Sequence, residues 1–228
     1  MNESLQDRLL RVQDRIRTAA SRTGRGASSI TLVAVSKTMP VEVIRQALAA
    51  GVMILGENRV QEARDKIAVL PGLATWHLVG HLQTNKAKLA VQLFEMIQSL
   101  DSLKLAEALD RYGQQAGKTV RCLVEINLGG EESKSGTTEE GVRPLLEAAG
   151  RLSHLRIEGL MSIPPFLPDP EQVRPFFRRL RNLRDKLEAE GFPLTALSMG
   201  MTHDFEVAIE EGATIVRIGT AIFGPRTG

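Results

Sequence analysis

The chain has 228 residues, of which 43% are hydrophobic and 25% are charged, a balance typical of globular proteins that bury a sizeable core. Its 29 Lys and Arg residues nearly match its 27 Asp and Glu residues, which argues against nucleic acids or anionic membranes as partners. The single cysteine, Cys122, excludes an internal disulfide and a cysteine-rich metal site. No apolar run reaches membrane-spanning length and the N-terminal residues do not resemble a signal peptide, so we expect a cytoplasmic protein.

The first predicted element is an amphipathic helix over about residues 3–23. Leu5, Leu9, Val12 and Ile16 recur at spacings of four, three and four residues, which places them on one helical stripe. We expect this helix to pack on the outside of the structure that follows.

A strand over Thr31–Lys37 comes next, and its mostly β-branched or apolar residues are typical of a strand buried on both faces. Because side chains alternate along a strand, Lys37 shares a face with Val33 and Val35. Removing an ammonium group from water disfavours its charged form and leaves an amine that can attack a carbonyl. The alternative is an ordinary lysine that reaches solvent or pairs with a carboxylate.

The rest of the chain repeats the pattern of a strand followed by a helix. Seven further strands are predicted at 53–58, 75–80, 94–100, 120–127, 155–163, 197–200 and 214–223. Pro144 lies inside the predicted helix over 138–152 and indicates a late start or a kink there. Repeats of roughly 25 residues are typical of βα units. The sequence therefore predicts a TIM (β/α)8 barrel with an extra N-terminal helix, formed by residues 1–228 as a single domain.

In such barrels the active site lies at the C-terminal ends of the strands, where this sequence has Lys37, Asn58, Asn127, Ser198 and the segment Arg217–Thr220. Phosphate groups commonly bind after strands seven and eight. The sequence has glycine and hydroxyl residues at both places, in Ser198–Thr202 and in Gly219–Thr220, which predicts a phosphate site. Alternatively, these glycines only form turns.

Alternation along the eighth strand points Arg217 into the barrel mouth, unless it only pairs with a carboxylate. An amine, a phosphate site and an inward arginine together fit pyridoxal 5′-phosphate (PLP). Lys37 would take the aldehyde and Arg217 the pyridine nitrogen.

The chain also resembles the pyridoxal phosphate homeostasis protein family from about Leu5 to Gly224, although Leu78 and Thr202 depart from the family pattern. The matching motifs are Ala34–Lys37, Gly56–Asn58, Trp76–Lys86, Glu132–Gly136, Ser198–Met201 and Val216–Gly224. The resemblance implies a barrel that holds PLP as a Schiff base on Lys37, keeps PLP and amino-acid pools balanced and has no established reaction. With it, the predicted cofactor-binding residues are Lys37, Asn58, Met161, Ser198, Gly200, Met201, Arg217, Gly219 and Thr220, with no catalytic residue and no metal.

The same barrel is similar to the N-terminal domain of alanine racemases, which supplies the main alternative, a PLP-dependent racemase of low activity. Those enzymes add a β domain and use a tyrosine from the partner subunit, whereas the only tyrosine here is Tyr112, in a predicted helix. His77 or His81 could substitute, although structural roles are favoured for both. Arginine only donates hydrogen bonds, so Arg217 would leave the pyridine nitrogen of the cofactor unprotonated. An unprotonated pyridine ring withdraws electrons poorly, which weakens the cofactor as an electron sink. These features favour a PLP carrier.

Two further possibilities stay open. Lys37 could act directly on a sugar phosphate, as in a Schiff-base lyase or aldolase. The segment Trp76–Lys86 could serve capping and packing, or form a surface for a partner that receives PLP. The expected partners are PLP and apo forms of PLP-dependent enzymes, and we expect a monomer.

Overall fold

In the computed structural model, which describes residues 3–130 and 135–225, eight strands alternate with nine α-helices. The strands are β1 (Thr31–Val35), β2 (Ile54–Glu57), β3 (Thr75–Leu78), β4 (Met96–Leu100), β5 (Val120–Ile126), β6 (Leu155–Ser162), β7 (Ala196–Ser198) and β8 (Ile215–Ile218). The helices are α1 (Leu5–Arg22), α2 (Val41–Ala49), α3 (Val60–Val69), α4 (Ala87–Leu93), α5 (Leu103–Ala116), α6 (Glu139–Ala149), α7 (Arg174–Ala189), α8 (Phe205–Glu210) and α9 (Thr220–Phe223).

The strands form a closed barrel in the order β1 to β8, and every neighbouring pair is parallel. β1 closes the barrel against β8, with Val33 in register with Arg217. The predicted TIM barrel is confirmed. Its parallel order brings the C-terminal ends of all eight strands to one mouth.

Side-chain alternation along the strands produces two apolar layers. The barrel interior is filled by Val33, Val79, Met96, Leu123, Met161, Ala196 and Ile215. The other face of each strand packs against the helices, as Ala34 and Leu160 do. At the C-terminal end of a strand, a residue two positions beyond the last interior apolar side chain therefore points into the barrel mouth.

The extra N-terminal helix is α1, and its predicted stripe of Leu5, Leu9, Val12 and Ile16 is buried. Ser4 begins the helix, since its side chain accepts a hydrogen bond from the N–H of the third helical residue. α1 packs against α8 and α9 and so covers the outside of the barrel next to its closing strands. None of the helices within the described ranges combines the length and the apolar content needed to cross a membrane.

Two local predictions are wrong. The eighth strand was expected to run to Phe223, but β8 ends at Ile218 and the chain turns into α9. The N–H groups of Ile222 and Phe223 donate to the carbonyl of Gly219, and Arg8 of α1 donates to the carbonyl of Ile222, so these contacts favour a helical turn over an extended strand. Of the two alternatives for the helix around Pro144, the late start is wrong and the kink stays a prediction.

α6 begins at Glu139, five residues before Pro144. The hydroxyl of Thr138 accepts a hydrogen bond from the N–H of Gly141, which caps the first turn. Burial of the apolar side of α6 then stabilises the helix despite the proline; its buried residues are Val142, Leu145, Leu146 and Ala149.

Candidate functional site

A cavity of about 460 Å³ opens at the C-terminal ends of the strands. Its volume lies within the range of small-molecule sites. Its wall is formed by Val35, Lys37, Asn58, Val79, Gly80, Ile163, Phe166, Met201, Thr202, His203, Arg217, Gly219 and Thr220. These residues follow or end β1, β2, β3, β6, β7 and β8, so the closed barrel brings together segments from both ends of the chain.

Six of the nine predicted cofactor-binding residues line this cavity: Lys37, Asn58, Met201, Arg217, Gly219 and Thr220. The other three lie behind its wall. Met161 is fully buried in the apolar interior of the barrel, and Ser198 is fully buried among polar side chains. Gly200 lies in the turn after β7 and has a φ of +91°. A Cβ built on it would lie 2.5 Å from the Cβ of Ala208, so this position requires glycine.

Lys37 stands two residues beyond the end of β1, on the face of the strand that Val33 and Val35 share. Its neighbour Thr38 has a φ of +64°, a left-handed conformation that is strained for a β-branched residue. The N–H of Thr38 donates to Oε1 of Glu62 at 2.6 Å, and this bond helps to hold the strained turn. The turn presents the lysine at the cavity wall.

A buried ion cluster lies directly behind this turn. The ammonium of Lys66 donates to Oε1 of Glu57, to Oε1 of Glu62 and to the carbonyl oxygen of Ser36, each at 2.7 Å. The hydroxyl of Ser36 donates to the same Glu57 oxygen at 2.7 Å. Burial raises the pKa of Glu57, and the hydrogen bonds from Lys66 and Ser36 oppose that rise. The residues on both sides of Lys37 are therefore anchored to one cluster.

Arg217 begins a chain of hydrogen bonds that crosses the barrel. Its Nη1 donates to Oγ of Ser198 at 2.5 Å and its Nη2 to the carbonyl of Ser162 at 2.9 Å. Ser198 donates to Oε1 of Gln98 at 2.6 Å, and Nε2 of Gln98 lies 3.0 Å from Nδ1 of His77. Burial lowers the pKa of Arg217 to about 10, so the guanidinium stays charged at neutral pH. This series of hydrogen bonds fixes the orientation of the Arg217 side chain at the cavity wall.

His77, on β3, is the last residue in this series of hydrogen bonds. Burial lowers its pKa to about 4, so the imidazole is neutral at neutral pH. Because Gln98 donates its amide N–H to Nδ1, we assign the ring proton to Nε2. His77 is thus a structural hydrogen-bond acceptor, as the sequence favoured.

The segment Trp76–Lys86 contributes both core and surface. Gly80 packs so closely on the end of β2 that a built Cβ would lie 2.6 Å from the carbonyl oxygen of Asn58. His81 is half exposed, with Nδ1 3.3 Å from a carboxylate oxygen of Asp101. Lys86 ends a 3₁₀ turn that leads into α4.

Sequence reasoning missed Glu125, a buried carboxyl group on β5 at the barrel mouth. It shares the interior face of the strand with Leu123, and only 7% of its surface is exposed. Its Oε2 is buried, and no described residue donates a hydrogen bond to that atom. Burial raises its pKa to about 7, although Arg217 acts in the opposite direction. Alternation would have revealed it, since Leu123, Glu125 and Asn127 follow the same spacing as Val33, Val35 and Lys37.

Of the other sequence features, Tyr112 lies away from the cavity. Tyr112, on α5, packs half-buried against the apolar layer between barrel and helices. The family motif Glu132–Gly136 falls partly outside the described residues, which resume at Ser135.

Comparison with known proteins agrees with this geometry. Residues 8–227 match the family model for the alanine racemase N-terminal domain. The pyridoxal phosphate homeostasis protein of Aquifex aeolicus is 48% identical over 222 residues, which cover 96% of this chain and 97% of that protein. The chain belongs to the pyridoxal phosphate homeostasis protein family.

A second relative and a solved structure also match the chain over nearly its whole length. The pyridoxal phosphate homeostasis protein of Escherichia coli K12 is 40% identical over 224 residues, which cover 96% of this chain and 95% of that protein. The solved structure of PipY from Synechococcus elongatus PCC7942 with PLP bound superposes with a TM-score of 0.85 at 37% identity, covering 97% of this chain and 100% of PipY. The resemblance inferred from the sequence motifs is confirmed.

Proposed function

We propose that this protein binds PLP in the mouth cavity and acts as a carrier or regulator in PLP and amino-acid homeostasis. One observation carries the proposal: Lys37 and Arg217, from the neighbouring strands β1 and β8, meet at the wall of one cavity. The PLP-bound structure of PipY, which this chain matches over almost its whole length, supports the same cofactor.

The residues at the cavity fit the three functional groups of PLP. The amine of Lys37 would hold the aldehyde as a Schiff base, and the guanidinium of Arg217 would donate to the pyridine nitrogen. The hydroxyl of Thr220 would donate a hydrogen bond to the phosphate. The N–H of Met201 is already engaged by the carboxylate of Asp204 at 2.6 Å, so Met201 contributes its side chain to the wall.

Several features favour a carrier over an enzyme. Arg217 remains charged and can only donate, so it would keep the pyridine nitrogen unprotonated and the bound cofactor a weak electron sink. Tyr112 lies on the outer side of the barrel, away from the cavity. His77 is neutral and already accepts a hydrogen bond from Gln98.

The second candidate function is a PLP-dependent amino-acid racemase of low activity. Glu125 favours it, because a buried carboxyl with a pKa of about 7 at the barrel mouth has the properties of an acid–base group. Robust multi-turnover racemisation by the purified protein would replace the carrier proposal with this one.

We further propose that the protein works as a cytoplasmic monomer and passes PLP to apo forms of PLP-dependent enzymes. The single cysteine, which leaves no internal disulfide to form, is in keeping with that compartment. Transfer of PLP from the loaded protein to an apo-enzyme, at a rate above that of free PLP at the same concentration, is the expected result.

The experiment that tests cofactor binding uses the purified protein mixed with PLP. We expect a visible absorption band, and peptide mass mapping after borohydride reduction should place the cofactor on Lys37. The Lys37→Ala variant should lose the band and the labelled peptide. The matched control is Lys88→Ala, which changes an exposed lysine of α4 and should retain both. A wild-type protein that gains no band with PLP would refute the proposal and favour the aldolase interpretation.

A further inference from the structure

A second cavity of about 270 Å³ adjoins the first at the barrel mouth. The two share Val79, Gly80 and Ile163 as a common wall. The first cavity holds Lys37 and Arg217 on the side of β8, β1 and β2. The second extends toward β5, and its remaining lining residues are His81, Glu125, Ile126, Asn127 and Ser135.

Glu125 is the reason to expect a ligand in the second cavity. Its side chain belongs to the lining, yet it is 93% buried and the described residues supply no hydrogen-bond donor for its Oε2. Buried carboxylates are ordinarily paired, because an uncompensated charge away from water is costly. Glu57, at the end of β2, also has an Oε2 without a donor among the described residues, but the ammonium of Lys66 compensates its charge at 2.7 Å from Oε1.

Within residues 3–130 and 135–225, the charged groups around Glu125 do not provide that pairing. The guanidinium of Arg217 attracts it, but the hydrogen bonds that its two terminal nitrogens donate go to Ser198 and Ser162, and none goes to Glu125. Asp101, at the end of β4, repels it and is instead within 3.3 Å of the imidazole of His81. A cationic donor from outside the described chain would complete this environment.

We propose that the second cavity binds a small aliphatic primary amine, with its ammonium group on the carboxylate of Glu125. An ammonium group supplies both the positive charge and the hydrogen-bond donors that Glu125 lacks. The raised pKa of Glu125, about 7, agrees with a carboxylate that has no cationic partner bonded to it among the described residues. The site rests on the proposed function for its biological meaning, because primary amines compete with a lysine for an aldehyde such as that of PLP.

The test uses protein loaded with PLP and reduced with borohydride, so that no amine can exchange with Lys37. Ethylamine is titrated at pH 8 and followed by calorimetry and by chemical-shift changes in NMR spectra. Ethanol, which has nearly the same shape but no charge, is titrated in parallel. We expect ethylamine to bind saturably and ethanol not to bind.

The Glu125→Gln variant keeps the shape of the side chain and removes its charge. It should weaken ethylamine binding by about tenfold or more, because a charge-assisted hydrogen bond is lost. The control Glu107→Gln alters an exposed carboxylate on α5 and should bind ethylamine as the wild type does. Equal binding to wild type and Glu125→Gln, or no saturable binding to the wild type, would overturn the amine site.

The unloaded protein provides a separate arm of the same experiment. If borohydride attaches no PLP, the proposed function fails, whereas the amine site is still tested by titrating ethylamine into unloaded wild type and Glu125→Gln. A tenfold difference there supports the site independently of PLP, and equal affinities refute it.

Discussion

Replacing Lys66 with methionine tests whether the buried ion cluster holds the turn that carries Lys37. The Lys66 side chain is 8% exposed and its partner Glu57 is fully buried. The substitution leaves the Glu57 carboxylate without its cation and removes one of the two donors to the carbonyl of Ser36, which keeps the N–H of Met39. Breaking a buried pair in this way costs about 3–5 kcal/mol of the free energy of unfolding. We expect a loss in that range by urea denaturation at pH 8.

The dependence of this loss on pH identifies its cause. Burial already raises the pKa of Glu57, and the Lys66→Met substitution removes the main group that opposes the rise. The folded variant would then bind a proton more tightly than the unfolded chain, so lowering the pH stabilises it. The deficit relative to wild type should therefore shrink between pH 8 and pH 5.

The control for this experiment is Arg64→Met on the same helix, since Arg64 forms an exposed pair with Asp65. Exposed pairs contribute about 0–1 kcal/mol, so this variant should stay within about 0.5 kcal/mol of wild type. Lys66→Met should also take up less PLP on Lys37, because Ser36 would lose its hydrogen bond from the Lys66 ammonium. A loss below about 1 kcal/mol for Lys66→Met, or one equal at both pH values, would refute the reasoning.

Three further predictions follow from single contacts. Because burial raises the pKa of Glu125 from 4.5 to about 7, the folded state holds a proton that the unfolded state releases, and the free energy of unfolding should fall by up to about 3 kcal/mol as the pH rises through that interval; urea titrations of Glu125→Gln should lack this component. Gly159→Ala would place a Cβ 1.9 Å from the carbonyl oxygen of Ala196, so its melting temperature should drop by at least about 10 °C, and an unchanged value would contradict the close packing of β6 on β7. Gln98→Leu would leave the hydroxyl of Ser198 without its acceptor, at a cost of about 1–3 kcal/mol. Its affinity for PLP, measured by the visible band, should also fall; equal affinity would show that the chain of hydrogen bonds does not position Arg217.

Local patterns were sufficient for most of the fold. The apolar stripe of α1, the eight strands and the inward faces of Lys37 and Arg217 all follow from periods of 3.6 and two residues, which depend only on neighbouring residues. The same rule also places Glu125 at the mouth, although Glu125 belongs to none of the motifs that marked the other site residues. The end of β8 was misjudged because Thr220–Phe223 is as apolar as a strand and is turned into α9 by contacts with α1.

The sequence by itself determined the order of the βα units, the face of each strand and the family to which the chain belongs. Only the closed barrel decided which polar side chains meet. Ser198 and Gln98 are 100 residues apart in the chain yet share a hydrogen bond across the barrel, and they lie behind the cavity wall that Arg217 helps to form. Alternation along a strand determines on which face of the sheet a side chain lies. The tilt and closure of the sheet determine how deep that side chain lies along the barrel axis. For that reason Ser198, Gly200 and Met161 were expected at the cavity and lie behind it, while the isolation of Glu125 became visible only in three dimensions.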